Sequence, residues 1–314
     1  MSFPFLRVVG GILLVVAGLV AYSGVSIGAS AALILVFGGV VLLAVVFLGH
    51  RPRPWDAAVF IVGLLALSAA SAGYSFSLQP VTYSATRAQV PYGAISLTVT
   101  ASTGSVFLGF TNRTDLAYQV NFSAAGGLGG GTVTNSTTGG IFNLKVSSSW
   151  SAVSVLVGRG YILYVNVNTV TGSIDMNTPG ALGIRNVSLV SSFGSVSAVV
   201  DSSDLAGLVL RDDLGSVSLV SHHLGAAAAD VPISVSSSTG SVSMDVRLGI
   251  LDAASLTASA GIGSVSQSLS GFSISQDTTT KVVATAGSFA TAPRSFVISA
   301  NSGLGSVSIT AGFG

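Results

Sequence analysis

The chain has 314 residues, and Asp, Glu, Lys and Arg make up only 7% of them, where a soluble globular chain carries about 25%. It holds no Glu, two Lys and no Cys, and its formal net charge is +1. Disulfides, thiolate metal sites and thiol catalysis are therefore excluded, long solvated helices are disfavoured because their usual surface residues are missing, and no basic footprint exists for nucleic acid.

From Val8 to Gly49 no charged residue occurs over 42 positions, and one helix crosses the hydrocarbon with about 20. The run predicts two membrane helices, 8–27 and 29–48, with the break near Tyr22 to Ser30, where Ser23, Gly24, Ser26 and Gly28 dilute the Leu and Val. After Arg51, Pro52, Arg53, Pro54, Trp55 and Asp56, the apolar stretch 57–74 predicts a third. Arg7, Arg51 and Arg53 fall on one side of a three-helix arrangement, and positive residues of short loops stay in the cytoplasm. The N-terminus is thus expected inside and everything beyond residue 74 outside the cell membrane. A signal peptide cleaved at Ser68 to Gly73 is the competing reading, disfavoured by the two preceding spans. No ionisable residue lies in a span, whereas transport pathways usually require them, so residues 1–74 read as an anchor whose partner is membrane lipid. Residues 75–89 are expected as a linker and 90–314 as an extracytoplasmic domain.

A tripeptide recurs in that domain. It stands as Gly104-Ser105-Val106, Gly172-Ser173-Ile174, Gly194-Ser195-Val196, Gly215-Ser216-Val217, Gly240-Ser241-Val242, Gly263-Ser264-Val265 and Gly305-Ser306-Val307. From Gly172 to Gly263 the steps are 22, 21, 25 and 23 residues; the flanking steps of 68 and 42 are close to three and two such units. Gly287-Ser288-Phe289 reads as a degenerate copy inside the last step. A fixed period in the low twenties signals a repeat architecture. Each copy continues with alternation, as in Val217 and Leu219 against Ser216 and Ser218, or Val242 and Met244 against Ser241 and Ser243, which puts apolar residues on one face of a strand and serines on the other. Gly before the strand suits a corner. The expected fold is mainly β beyond the membrane helices: a β-solenoid of roughly 22-residue coils, with a β-sandwich as the alternative. Residues 111–170 show no legible repeat and are expected to be irregular or inserted; they include the glycine run Gly126 to Gly131 and alternating strands at Ile141 to Val146 and Tyr161 to Val167.

A membrane segment followed by short strands, each with a turn glycine and inward Val, Ile or Leu, resembles the putative-adhesin, toast-rack type of β-solenoid of bacterial and archaeal envelope proteins. The resemblance covers roughly residues 90–314 and rests on the Gly-Ser-Val copies. It implies surface interaction without naming a ligand. Many members carry Gly-Asp or Gly-Asn at the corner, where Ser follows Gly here.

Candidate chemistry is sparse. Asp201, Asp204, Asp212 and Asp213 are the best case for paired carboxylates acting on a glycosidic bond, but the Gly-His-Gly and Arg-x-Lys elements of polygalacturonase-like β-helices are missing, and solvated corner residues are the favoured reading. His222 and His223 would point to opposite faces of a strand; only in a loop, with Asp230, would they approach one metal. Beyond residue 74 no Ser sits in a Gly-x-Ser-x-Gly elbow. No catalytic residue, cofactor or metal is expected. Asn112, Asn121, Asn135 and Asn186 begin N-glycosylation sequons.

The leading function class is a non-enzymatic surface protein for adhesion, envelope structure or subunit interaction. Its expected partners are a second copy or another envelope protein, reached through an open sheet edge at the final copy, Gly305 to Thr310, with surface polysaccharide a further candidate. An envelope-stress regulatory membrane protein and a polysaccharide-active β-helix enzyme are the alternatives.

Overall fold

The computed structural model describes residues 81–124, 131–180, 183–287 and 291–314. The three expected membrane helices lie outside the described residues, as do 126–130 of the glycine run and Ser288 and Phe289. Among the described residues no helix is long and apolar enough to cross a membrane.

The described chain is mainly β, as its alternation of apolar and hydroxyl residues requires. It begins with β1 (Val81–Thr86), a strand inside the stretch expected as linker, then β2 (Ala94–Thr103) and β3 (Val106–Thr111). Next come β4 (Leu116–Ala124), β5 (Gly131–Thr138), β6 (Ile141–Ser148), β7 (Ser151–Gly158), β8 (Ile162–Thr171) and β9 (Ile174–Thr178). The middle holds β10 (Ile184–Phe193), β11 (Val196–Val200), β12 (Ser202–Leu205), β13 (Gly207–Leu214), β14 (Val217–Ala226), β15 (Val231–Thr239) and β16 (Val242–Leu248). The last strands are β17 (Ala253–Ile262), β18 (Val265–Leu269), β19 (Ser273–Thr278), β20 (Lys281–Ala286), β21 (Ser295–Leu304) and β22 (Val307–Phe313).

These strands form two 11-stranded sheets, neither closed on itself. The first runs β1-β4-β7-β3-β9-β11-β14-β16-β22-β18, with β12 beside β14; the second runs β19-β20-β17-β21-β15-β13-β10-β8-β2-β6-β5. Each Gly-Ser copy carries the chain from a strand of the second sheet to one of the first, as from β13 to β14 or β15 to β16. Successive copies pair in parallel and in register, so Val217 faces Val242 and Val242 faces Val307. Except for half-buried Val265 on the edge strand β18, the apolar residue after each corner is then covered above and below: Val106, Ile174, Val196, Val217, Val242 and Val307 are all at most 1% exposed. Burying a side chain of this size contributes roughly 1.5–3 kcal/mol. One core cluster holds the inward residues of both sheets.

The layers do not stack in sequence order. The final strand, expected to leave an open edge, is hydrogen-bonded on both sides, by β16 and by β18. Likewise β21 lies between β15 and β17. The 42-residue step contains the antiparallel hairpin β19–β20, which covers the outer side of β17, and the chain then returns to the space between β15 and β17. At this end the edges are β18 and β19. Gly287 packs against Ala253, away from the corners, and makes no further copy.

Residues 111–170, expected to be irregular or inserted, contain a further layer: β6 pairs with β2 and β7 with β3, both in parallel. Its corner uses hydroxyls instead of glycine, which hides it from the repeat. Ser148 Oγ donates to the Ser151 carbonyl at 3.0 Å and lies 2.8 Å from Ser151 Oγ. Antiparallel β4 and β5 cover this layer, and β1 follows β4.

Candidate functional site

The seven corner glycines form one column, in the spatial order Gly104, Gly172, Gly194, Gly215, Gly240, Gly305 and Gly263. A Cβ on any of them would fall on the carbonyl of the neighbouring corner, with Ser151 taking the glycine's place below Gly104. Gly215 and Gly240 also have φ of 149° and 145°, a region that L side chains rarely adopt. Backbone bonds tie the corners together, as from Gly240 N–H to Leu304 O at 2.8 Å.

Just inside the corners runs a buried ladder of register partners, Thr169, Ser191, Asp212, Ser237 and Ser302. Ser191, Ser237 and Ser302 donate to the carbonyls of Gly172, Gly215 and Gly240 at 3.1, 2.7 and 2.7 Å. Asp212 occupies the equivalent place before Gly215, beside the Gly194 carbonyl. It is fully buried, and neither carboxyl oxygen has a hydrogen-bond partner. Burial pushes its pKa up, a rise that the nearby Ser191 hydroxyl and the N–H groups of Asp213 and Leu214 only partly oppose. Asp213 lies on the outer face, 3.0 Å from Arg211. The two carboxyls project from opposite faces of β13 and do not converge on one ligand.

Asp201 is a backbone clamp. Its oxygens accept from the N–H groups of Gly180, His222 and His223 at 2.8, 2.7 and 3.2 Å. Burial alone would raise its pKa, but these bonds, with His222 beside it, bring the net shift below the ordinary carboxylate range. Asp204 pairs with Arg185 at 3.5 Å.

His222 and His223, expected on opposite faces, sit at an irregularity of β14 between Ser221 and Leu224, and both are exposed. An extra residue breaks the alternation there, and Asp201 fixes both N–H groups. Asp230 bonds instead with Ser295, its N–H donating to Ser295 Oγ at 2.8 Å. Among the described residues no group of three or more His, Cys, Asp or Glu is placed to hold a metal ion.

The sequence reading missed a cavity of about 470 Å³ on the edge away from the glycines, lined by Ser203, His223, Ile250, Leu251, Asp252 and Arg294 among others. It is organised by a tight turn in which Asp252 N–H donates to Gly249 O at 3.0 Å. Ile250 and Leu251 at the tip are 76% and 79% exposed. The Asp252 side chain is 1% exposed and lies 3.2 Å from Arg294 Nε, whose own side chain is 42% exposed. Burial raises the Asp252 pKa against the opposing pull of Arg294, the Ala226 N–H and His223.

Among the four sequons, Asn112, Asn135 and Asn186 are exposed, whereas Asn121 is half-buried and its Oδ1 accepts from Thr82 Oγ1 at 2.9 Å and Gln119 Nε2 at 3.2 Å. In a glycosylating host, intact-mass and peptide analysis should find glycan at the three exposed sites and none at Asn121. Occupancy at Asn121 matching the others would contradict this geometry.

The chain matches no family model and no curated protein. Two solved structures are similar to it. A putative cell adhesion protein from Clostridium sporogenes ATCC 15579 aligns with a TM-score of 0.47 at 10% identity, covering 74% of this chain and 100% of its own. A putative adhesin from Bacteroides fragilis NCTC 9343 aligns with a TM-score of 0.30 at 10% identity, covering 74% and 97%.

Proposed function

We propose that the chain is a non-enzymatic, membrane-anchored cell-surface protein whose β-solenoid serves adhesion, envelope structure or subunit interaction. Parallel pairing in both sheets favours the solenoid over an ordinary sandwich, whose strands run antiparallel. The observation that carries the functional reading is the outer surface. On the first sheet Ser197, Ser218, Ser243, Ser308 and Ser266 are successive register partners facing outward. On the second, Ser234, Ser299 and Thr257 do the same. Hydroxyls repeating at about 4.8 Å per layer offer many hydrogen bonds, and a neutral group is less costly to desolvate than a charge. Such a surface suits contact with an extended polymer or another protein rather than turnover of a substrate.

The test is protease shaving and antibody labelling of intact cells, using a C-terminal epitope and a cleavage site inserted in the exposed Gly139-Gly140 turn. The epitope is expected to bind antibody on sealed cells and to be lost on shaving. An epitope unreachable until the cells are lysed would overturn the topology and the surface role with it.

A further inference from the structure

Tips of tight turns usually carry Gly, Pro, Asn, Asp or Ser. The Gly249–Asp252 turn instead presents Ile250 and Leu251 almost fully to solvent. The carboxyl oxygens of Asp252 are buried, whereas the Arg294 side chain is 42% exposed and His223 is exposed on the same cavity wall. Arg294 Nε lies 3.2 Å from the buried Asp252 carboxyl, an ion pair that places the guanidinium at the wall while leaving its terminal N–H donors for a ligand.

We propose that this cavity binds the carboxylate-bearing sugar unit of an acidic polysaccharide, with Arg294 on the carboxylate and Ile250 and Leu251 against the apolar face of the ring. The proposal rests on the surface-interaction reading above and names its ligand class. A cation is disfavoured by Arg294, and the planar guanidinium fork matches a carboxylate in two parallel hydrogen bonds. The volume of about 470 Å³ falls in the roughly 300–1,000 Å³ range of small-molecule sites, too small for a protein surface and large enough for a sugar residue. A mostly apolar wall with a few converging donors is the usual composition of such a site. Asp252 is a positioning residue here: it touches Arg294 and not the ligand.

Full-length protein in detergent would be titrated calorimetrically with glucuronate, galacturonate and N-acetylneuraminate, and in parallel with glucose, galactose and inorganic phosphate. At least one acidic sugar is expected to bind saturably, about tenfold or more tighter than its neutral parent and than phosphate. Arg294→Gln should weaken it by about tenfold or more, and the double change Ile250→Ser with Leu251→Ser by about three- to tenfold, both with unchanged circular dichroism. Equal affinity for neutral sugars, preference for phosphate, no binding, or undiminished binding by Arg294→Gln would each overturn the site. Binding to purified protein is independent of topology. An epitope hidden on intact cells with sugar binding retained would therefore sink the surface reading alone, and a surface-exposed chain that binds no acidic sugar would sink this site alone.

Discussion

Gly240→Ala is expected to destabilise the full-length chain by about 3 kcal/mol or more, while Gly93→Ala leaves it within about 1 kcal/mol of wild type. The two residues share a chemistry and differ in surroundings. At Gly240, φ is 145°, and an added Cβ would land on the Gly215 carbonyl, 3.0 Å from Ser237 Oγ. That carbonyl already accepts the Ser237 hydroxyl at 2.7 Å, and the Gly240 N–H spans to the next layer at 2.8 Å. The methyl group must therefore push the layers apart and strain its own backbone at once. At Gly93 nothing lies within 4 Å of the Cβ position, and the substitution mainly restricts the unfolded chain. Urea denaturation followed by far-ultraviolet circular dichroism measures both. A midpoint for Gly240→Ala equal to that of Gly93→Ala would mean that the glycine column does not need its close approach.

The same column shows why the middle of the fold could be read from the sequence and the ends could not. Between Gly172 and Gly240 each step of 21 to 25 residues holds strands of both sheets and neighbours in the chain are neighbours in space, whereas Gly305 comes between Gly240 and Gly263. Toward the ends antiparallel strands replace whole windings. The 68-residue step, close to three periods, contains β4, β5 and a layer that turns on Ser148 and Ser151; the 42-residue step contains the β19–β20 hairpin and no extra corner. Whether β22 joins β16 or ends the stack depends on contacts between segments far apart in the chain, which a local pattern does not record. Against the expectation of solvated corner residues, Asp201 and Asp212 are buried; for Asp212 the reason is the parity of β13, where Leu208, Leu210 and Asp212 face inward. The cavity was not legible. Leu248, Gly249, Ile250 and Leu251 read as one apolar run, and only the turn that closes on Asp252 throws the last two outward, beside an Arg294 that arrives from another element.

Asp212→Ser should stabilise the chain at neutral pH by about 1–3 kcal/mol, and the gain should shrink as the pH falls through the raised folded pKa toward the ordinary 3.8. Ser191, Ser237 and Ser302 show what the position asks for, a hydroxyl that donates to the corner carbonyl of the preceding layer. An ionised Asp212 has nothing to donate and turns its own oxygens toward the Gly194 carbonyl beside Gly215. Its folded pKa lies above the ordinary 3.8. Below 3.8 the folded and unfolded forms are both protonated and burial of this group carries no ionisation cost. As the pH rises the unfolded chain ionises first, so stability falls until the folded pKa is passed and stays low beyond it. Asp252 is shifted in the same direction and Asp201 in the opposite one, its contribution being present above 3.8 and lost in acid. Both remain in the variant, so the difference between variant and wild type isolates Asp212. Paired denaturation curves at pH 7 and pH 3.5 read that difference. A gain of the same size at both would assign the effect to packing of the smaller side chain, and a loss at pH 7 would show that the buried carboxyl is satisfied in a way the serine ladder is not.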